Sequence, residues 1–132
     1  MSASAEFTDY VLEQLEPAGA VRTTRFFGGV GICTGATQFA MIMGNSLYFV
    51  VDDSTRPKYE RAGMRPFSYR TRHGIREVRR YFELPEEVLT DPHELRVWMR
   101  ESIDIASRRP ATKRRRRPAS KRVVKRRIRR NG

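Results

Sequence analysis

The first apolar positions of the chain recur at helical spacing. Phe7, Tyr10, Val11 and Leu15 fall three and four residues apart behind Ser4, which predicts a helix capped by Ser4, packed by that face and ended by Pro17 and Gly19. The period then changes. Residues 21–27, 29–34, 38–43 and 47–51 are short runs rich in β-branched and aromatic side chains, separated by Gly35-Ala36-Thr37 and Gly44-Asn45-Ser46, and they predict an antiparallel meander. Asp53 is placed to cap a short second helix running through Tyr59 and Arg61, with Gly63 as a left-handed terminating residue. Residues 67–71 and 77–82 predict two more strands around a turn at His73-Gly74. Asp91, Pro92 and Glu94 then combine a capping carboxylate, a first-turn proline and a glutamate able to close a capping box. Leu95, Trp98, Met99, Ser102 and Ile103 supply the inner face of the helix that follows.

The order helix, strands, helix, two strands, helix predicts an α+β domain, a mostly antiparallel sheet with packed helices, over residues 1–107. A body of that length buries enough surface for one core without staples. Cys33 is the only cysteine, so no intramolecular disulfide forms within the chain and a reduced cytoplasm is the expected compartment. The start Met-Ser-Ala-Ser-Ala-Glu carries no basic stretch or apolar run, and the longest apolar runs fall well short of the ~18 residues of a membrane span; no membrane association is expected.

Charge changes this picture most. Residues 108–132 hold 14 Lys plus Arg and no Asp or Glu, whereas residues 1–107 hold 13 basic and 15 acidic residues, so a body at −2 precedes a tail at +14. The sequence Arg108-Arg109-Pro110-Ala111-Thr112-Lys113-Arg114-Arg115 is echoed by Arg116-Arg117-Pro118-Ala119-Ser120-Lys121-Arg122-Val123. Two prolines, few apolar residues and like-charge repulsion predict a disordered tail. Phosphate is its natural counter-ligand, because guanidinium groups contact phosphate oxygens bidentately and each neutralised phosphate releases counterions. The candidate nucleic-acid contacts are Arg108, Arg109, Lys113, Arg114, Arg115, Arg116, Arg117, Lys121, Arg122, Lys125, Arg126, Arg127, Arg129 and Arg130, with DNA favoured and RNA open. The alternative is a solubilising extension. Thr112 and Ser120 lie inside the basic repeats, where phosphorylation would subtract charge.

A second cluster, Arg70, Arg72, Arg76, Arg79 and Arg80, crowds the predicted hairpin. It reads either as a second anion patch or as charge that protects an exposed strand pair from edge aggregation. Tyr69 and Tyr81 beside it are stacking candidates or core residues. The stretch Phe26-Phe27-Gly28-Gly29-Val30-Gly31 lacks the Lys-Ser/Thr ending of a phosphate-binding loop and reads as a bend or bulge, with Phe26 and Phe27 facing opposite ways. Cys33, His73 and His93 show no metal-ligand spacing, so neither metal nor cofactor is expected. No nucleophile, base and orienting group recur together, and no enzymatic activity is expected.

Val21-Arg22-Thr23-Thr24-Arg25-Phe26-Phe27-Gly28-Gly29-Val30-Gly31-Ile32 resembles the start of the N-terminal domain of TfoX/Sxy competence regulators. Phe39-Ala40-Met41-Ile42, Leu47-Tyr48-Phe49-Val50-Val51-Asp52, Pro66-Phe67-Ser68-Tyr69 and Tyr81-Phe82-Glu83-Leu84-Pro85 extend the likeness in order from about Phe7 to Ala106. The resemblance implies a small α+β fold, a bacterial origin and a role in regulating DNA-uptake genes with the cyclic-AMP receptor protein as partner, without enzymatic activity. Longer relatives continue into a second, helical domain where this chain has its basic tail. Three readings stand: a regulator whose body binds a protein and whose tail holds DNA, a nucleoid- or RNA-associated polyanion binder, or a pure adaptor. Oligomeric state is open, an exposed sheet edge being one route to a dimer.

Overall fold

The structure, a computed structural model, describes residues 4–113. Ser4 begins the first helix as the spacing predicts: its side-chain oxygen accepts the Phe7 backbone N–H at 3.0 Å. That helix, α1 (Ala5–Leu15), buries Val11 and Leu15 and passes through a 3-10 turn at Glu16–Ala18. Strands β1 (Arg22–Phe26), β2 (Gly29–Thr34), β3 (Thr37–Met43) and β4 (Ser46–Val50) follow as a meander. Helix α2 (Arg56–Arg61), strands β5 (Pro66–Thr71) and β6 (Gly74–Glu83), and helices α3 (Glu86–Leu89) and α4 (Pro92–Lys113) complete the described residues. All pairings are antiparallel, and the sheet order β1-β2-β3-β4-β6-β5 leaves β1 and β5 as its edges.

Helix α4 lies on β3 and β4 and buries Leu95, Trp98, Met99, Ser102, Ile105 and Ala106. Ser102 fastens it to the sheet, donating its hydroxyl to the Val50 carbonyl at 2.8 Å. Trp98 packs edge-on against Tyr59 of α2, and the Lys58 ammonium lies 4.2 Å over the indole while pairing with Glu101 at 2.5 Å. Tyr59 is thus buried between α2, β6 and α4, and burial raises its phenol well above the usual tyrosine range; a hydrogen bond with Ser102 only partly offsets this.

Four local expectations are corrected. Asp53 does not cap α2; Asp52 does the ordering, its carboxylate accepting the Ser54 and Thr55 backbone N–H groups, while Asp53 reaches Arg56 at 2.6 Å. A carboxylate one position earlier closes the tighter turn that leads out of β4. Asp91 does cap α4, accepting from His93 and Glu94, yet Glu94 closes no capping box: its Oε1 accepts the Trp98 indole N–H at 3.1 Å. Strand β6 begins at Gly74, because the Thr71 hydroxyl accepts the His73 N–H and closes the turn early. Helix α4 also continues through Pro110 to Lys113, six residues past the boundary expected at Ser107. The rest of the basic segment, Arg114 to Gly132, lies outside the described residues.

Candidate functional site

The β1–β2 hairpin closes with Phe26 opposite Gly29, leaving Phe27-Gly28 as a two-residue loop. Both have positive φ, 50° and 83°, as a type I′ turn requires. Glycine suits this geometry and phenylalanine does not, because its Cβ crowds the carbonyl in the left-handed region. The turn holds Phe27 out in solvent, 86 % exposed, with its ring edge-on to Phe26 at 4.9 Å. The expectation that the two phenylalanines face opposite ways is corrected: the positive φ of Phe27 turns its ring back onto Phe26, and both line one groove.

Behind that turn the sheet curls. Strands β2, β3 and β4 stand between β1 and β6, which in a flat sheet would hold them ~19 Å apart. The Phe26 and Tyr81 rings nevertheless meet at 6.4 Å. Three irregularities allow it. Phe39 is bulged out of the β2–β3 ladder, where Ile32 pairs Ala40 but Cys33 pairs Gln38. Gly29 and Gly31 keep β2 close to its neighbours, since a Cβ on Gly29 would overlap the Ile42 carbonyl oxygen and one on Gly31 would lie 2.5 Å from Gln38 Oε1. Strand β6 bends where the β5 partner jumps from Phe82 to Val78 between Pro66 and Phe67.

The curl makes a groove of about 740 Å³ lined by strand and turn residues, on the face away from the helices. Met41 and Met43 are its buried floor; Phe67, Val78 and Tyr81 wall it; Phe27, Tyr69 and Arg70 stand at its rim. Phe67 is braced edge-on by Tyr48 at 5.3 Å and stacks with Tyr69 at 6.1 Å. Arg76 sits directly across from Tyr69, so both project to the groove face. No Asp or Glu is among the lining residues. A second cavity of about 470 Å³ shares Phe26 and Tyr81 with the groove and reaches Arg80, Gln38 and Ser107 on α4, where the basic segment begins.

The five hairpin arginines therefore do not share one face. Arg70 and Arg76 flank the groove, and Arg72 is exposed near the hairpin tip. Arg79 pairs with Glu60 at 3.4 Å and lies over Phe82, while Arg80 lies 5.9 Å over Tyr81 and lines the second cavity. Of the predicted tail contacts, Arg108 is exposed beside Asp104, Arg109 and Lys113 ride on α4, and the others lie beyond the described residues. Tyr81 is buried, as the core reading has it, and Tyr69 is half-exposed. Cys33 is buried in β2. Among the described residues no three His, Cys, Asp or Glu gather into a metal-binding group, and no helix is long and apolar enough to cross a membrane.

Sequence reasoning missed the groove, although a signal was present. Residues 39–43 are an unbroken apolar run, the pattern of a strand covered on both faces, and helices lie on only one face of β3.

The model of the TfoX N-terminal domain matches residues 13–106, well over half of the chain. The match ends at Ala106, a buried residue of α4, so the basic segment lies wholly outside it. No curated protein matches the chain.

Proposed function

The chain belongs to the TfoX N-terminal domain family, and from that premise we propose a non-enzymatic regulator of gene expression whose body engages a protein and whose basic segment holds it on DNA. The observation that carries this reading is the division of charge, −2 over residues 1–107 against +14 over residues 108–132. A block of that density repels itself and is relieved by a polyanion, while a near-neutral body is free to recognise something else. The body has the means: an open sheet whose edges, β1 and β5, keep unpaired backbone groups available to a partner strand. The family likeness adds competence-gene regulation and the cyclic-AMP receptor protein as the first partner to try, in a bacterial cytoplasm at or near the nucleoid.

Helix α4 sets where the two functions are separated experimentally. A chain ending at Lys113 keeps every described residue of the helix and removes 11 of the 14 basic residues. It is expected to bind DNA far more weakly while still comigrating with the cyclic-AMP receptor protein on size exclusion. A second reading, a nucleoid- or RNA-associated polyanion binder, is favoured by the aromatic rings and arginines that the body itself gathers at the groove. Under that reading the shortened chain keeps no protein partner.

A further inference from the structure

We propose that the concave sheet face is a base-stacking site for single-stranded nucleic acid, entered between Phe27 and Tyr69 and continuous with the root of the basic segment. The inference rests on nucleic acid being the ligand of this chain, and it adds a second, strand-selective contact on the body.

The rim carries the argument. Phe27 is held in solvent by a turn that disfavours phenylalanine, and strained residues of this kind persist where they do work beyond folding. Tyr69 stands across the opening, its ring stacked on Phe67, which is itself braced by Tyr48. Such rings offer sequence-tolerant platforms to any base with a free face, and paired bases inside a duplex have none to give. The floor of Met41 and Met43 is apolar and polarizable, suited to the edge of an inserted ring.

Charge selects the same ligand. Arg70 at the rim and Arg76 opposite Tyr69 flank the opening, and no carboxylate lines it. A strand whose bases enter the groove leaves its phosphates on that basic rim. Past Phe26 and Tyr81, the second cavity leads by Arg80 and Gln38 to Ser107, from which the +14 segment departs. A polyanion held in the groove therefore reaches the α4 residue after which the basic segment begins. An acidic, leucine-rich peptide would satisfy the rim charge, but two presented rings and a contiguous phosphate-seeking segment favour the nucleic acid.

The test uses the full chain with fluorescein-labelled oligothymidylate and with a duplex of the same length. Replacing both rims, Phe27→Ala with Tyr69→Ala, is expected to weaken single-strand binding by about tenfold or more. Duplex affinity should stay within about twofold, since backbone neutralisation does not use these rings. Phe27→Trp should retain single-strand binding. Circular dichroism of each variant checks that both exposed substitutions leave the fold intact. An unchanged single-strand affinity overturns the proposal, as does an equal loss for both nucleic acids. It is also overturned if a labelled acidic, leucine-rich peptide binds the native chain but not the double variant while oligothymidylate binding is unaffected. Absence of duplex binding by the native chain would sink the anchoring role of the tail and leave the ring-dependent single-strand binding standing.

Discussion

Phe26 and Tyr81 touch at 6.4 Å although three strands separate their own, and that contact defines the concave face. The curvature depends on how closely β2 approaches β3. At Gly29 an added methyl meets backbone, the Ile42 carbonyl oxygen, whereas at Gly31 it meets the far end of the Gln38 side chain and the Thr24 hydroxyl. Backbone cannot step aside as a glutamine can. Gly29→Ala is therefore expected to cost about 2–3 kcal/mol and Gly31→Ala about 1 kcal/mol. Urea denaturation of both variants checks the ranking, which reverses if curvature is set elsewhere.

Phe27 sits in the left-handed region at φ 50° and is almost fully exposed. Phe27→Asn would place the Asn-Gly pair that type I′ turns favour, relieving the backbone at the cost of one edge-on ring contact with Phe26. The expected result is a chain more stable by about 0.5–1 kcal/mol. The same variant should bind oligothymidylate less well, a trade of function for stability measured by urea midpoint and anisotropy together.

Ser102 is buried in the core, and its hydroxyl ties α4 to the Val50 carbonyl. Ser102→Ala removes that donor and the bond to Tyr59 without adding volume. It should destabilise by about 1–2 kcal/mol. Because the groove face does not touch Ser102, thermal and urea midpoints should fall while nucleic-acid affinity does not.

Stability should fall at both ends of the pH range, for separate reasons. Burial raises the Tyr59 phenol above its ordinary 10.0, so the unfolded chain loses this proton first; stability is full below about pH 10 and declines as pH rises. Tyr59→Phe should flatten that alkaline limb by up to about 1.4 kcal/mol per pH unit. At Asp52 burial opposes ionisation, but hydrogen bonds from Ser54 and Thr55 outweigh it and hold the carboxyl below its ordinary 3.8. Its stabilisation is present above about pH 4 and is lost as pH falls through the lower folded value. Urea midpoints across pH for the native chain, Tyr59→Phe and Asp52→Asn separate the two limbs.

The fold was legible in the chain wherever local chemistry decides it. Ser4, Asp91 and the glycine-bounded strands gave helix starts and the meander because a cap or a turn is a contact among near neighbours. The shift from Asp53 to Asp52 shows the limit of that logic, since two adjacent carboxylates present the same signal and only the exit angle of β4 chooses between them. The groove was legible only in the apolar run over residues 39–43. It joins Phe26 to Tyr81 and Met41 to Phe67 through a bulge at Phe39 and a bend in β6, and no spacing rule reports how far a sheet curls. The basic segment was plain from composition, yet its first six residues belong to α4.

The central claim, that the basic segment anchors the protein on DNA, is tested most directly by fluorescence-anisotropy titration of duplex DNA over a range of salt concentrations. The full chain is compared with one ending at Lys113. If about six of the 14 basic residues engage phosphate, the full chain should give a log-affinity against log-salt slope of about −5, and the shortened chain a much weaker and flatter response. Equal affinity and equal slope for the two chains would contradict the claim and move the duplex contact onto the body.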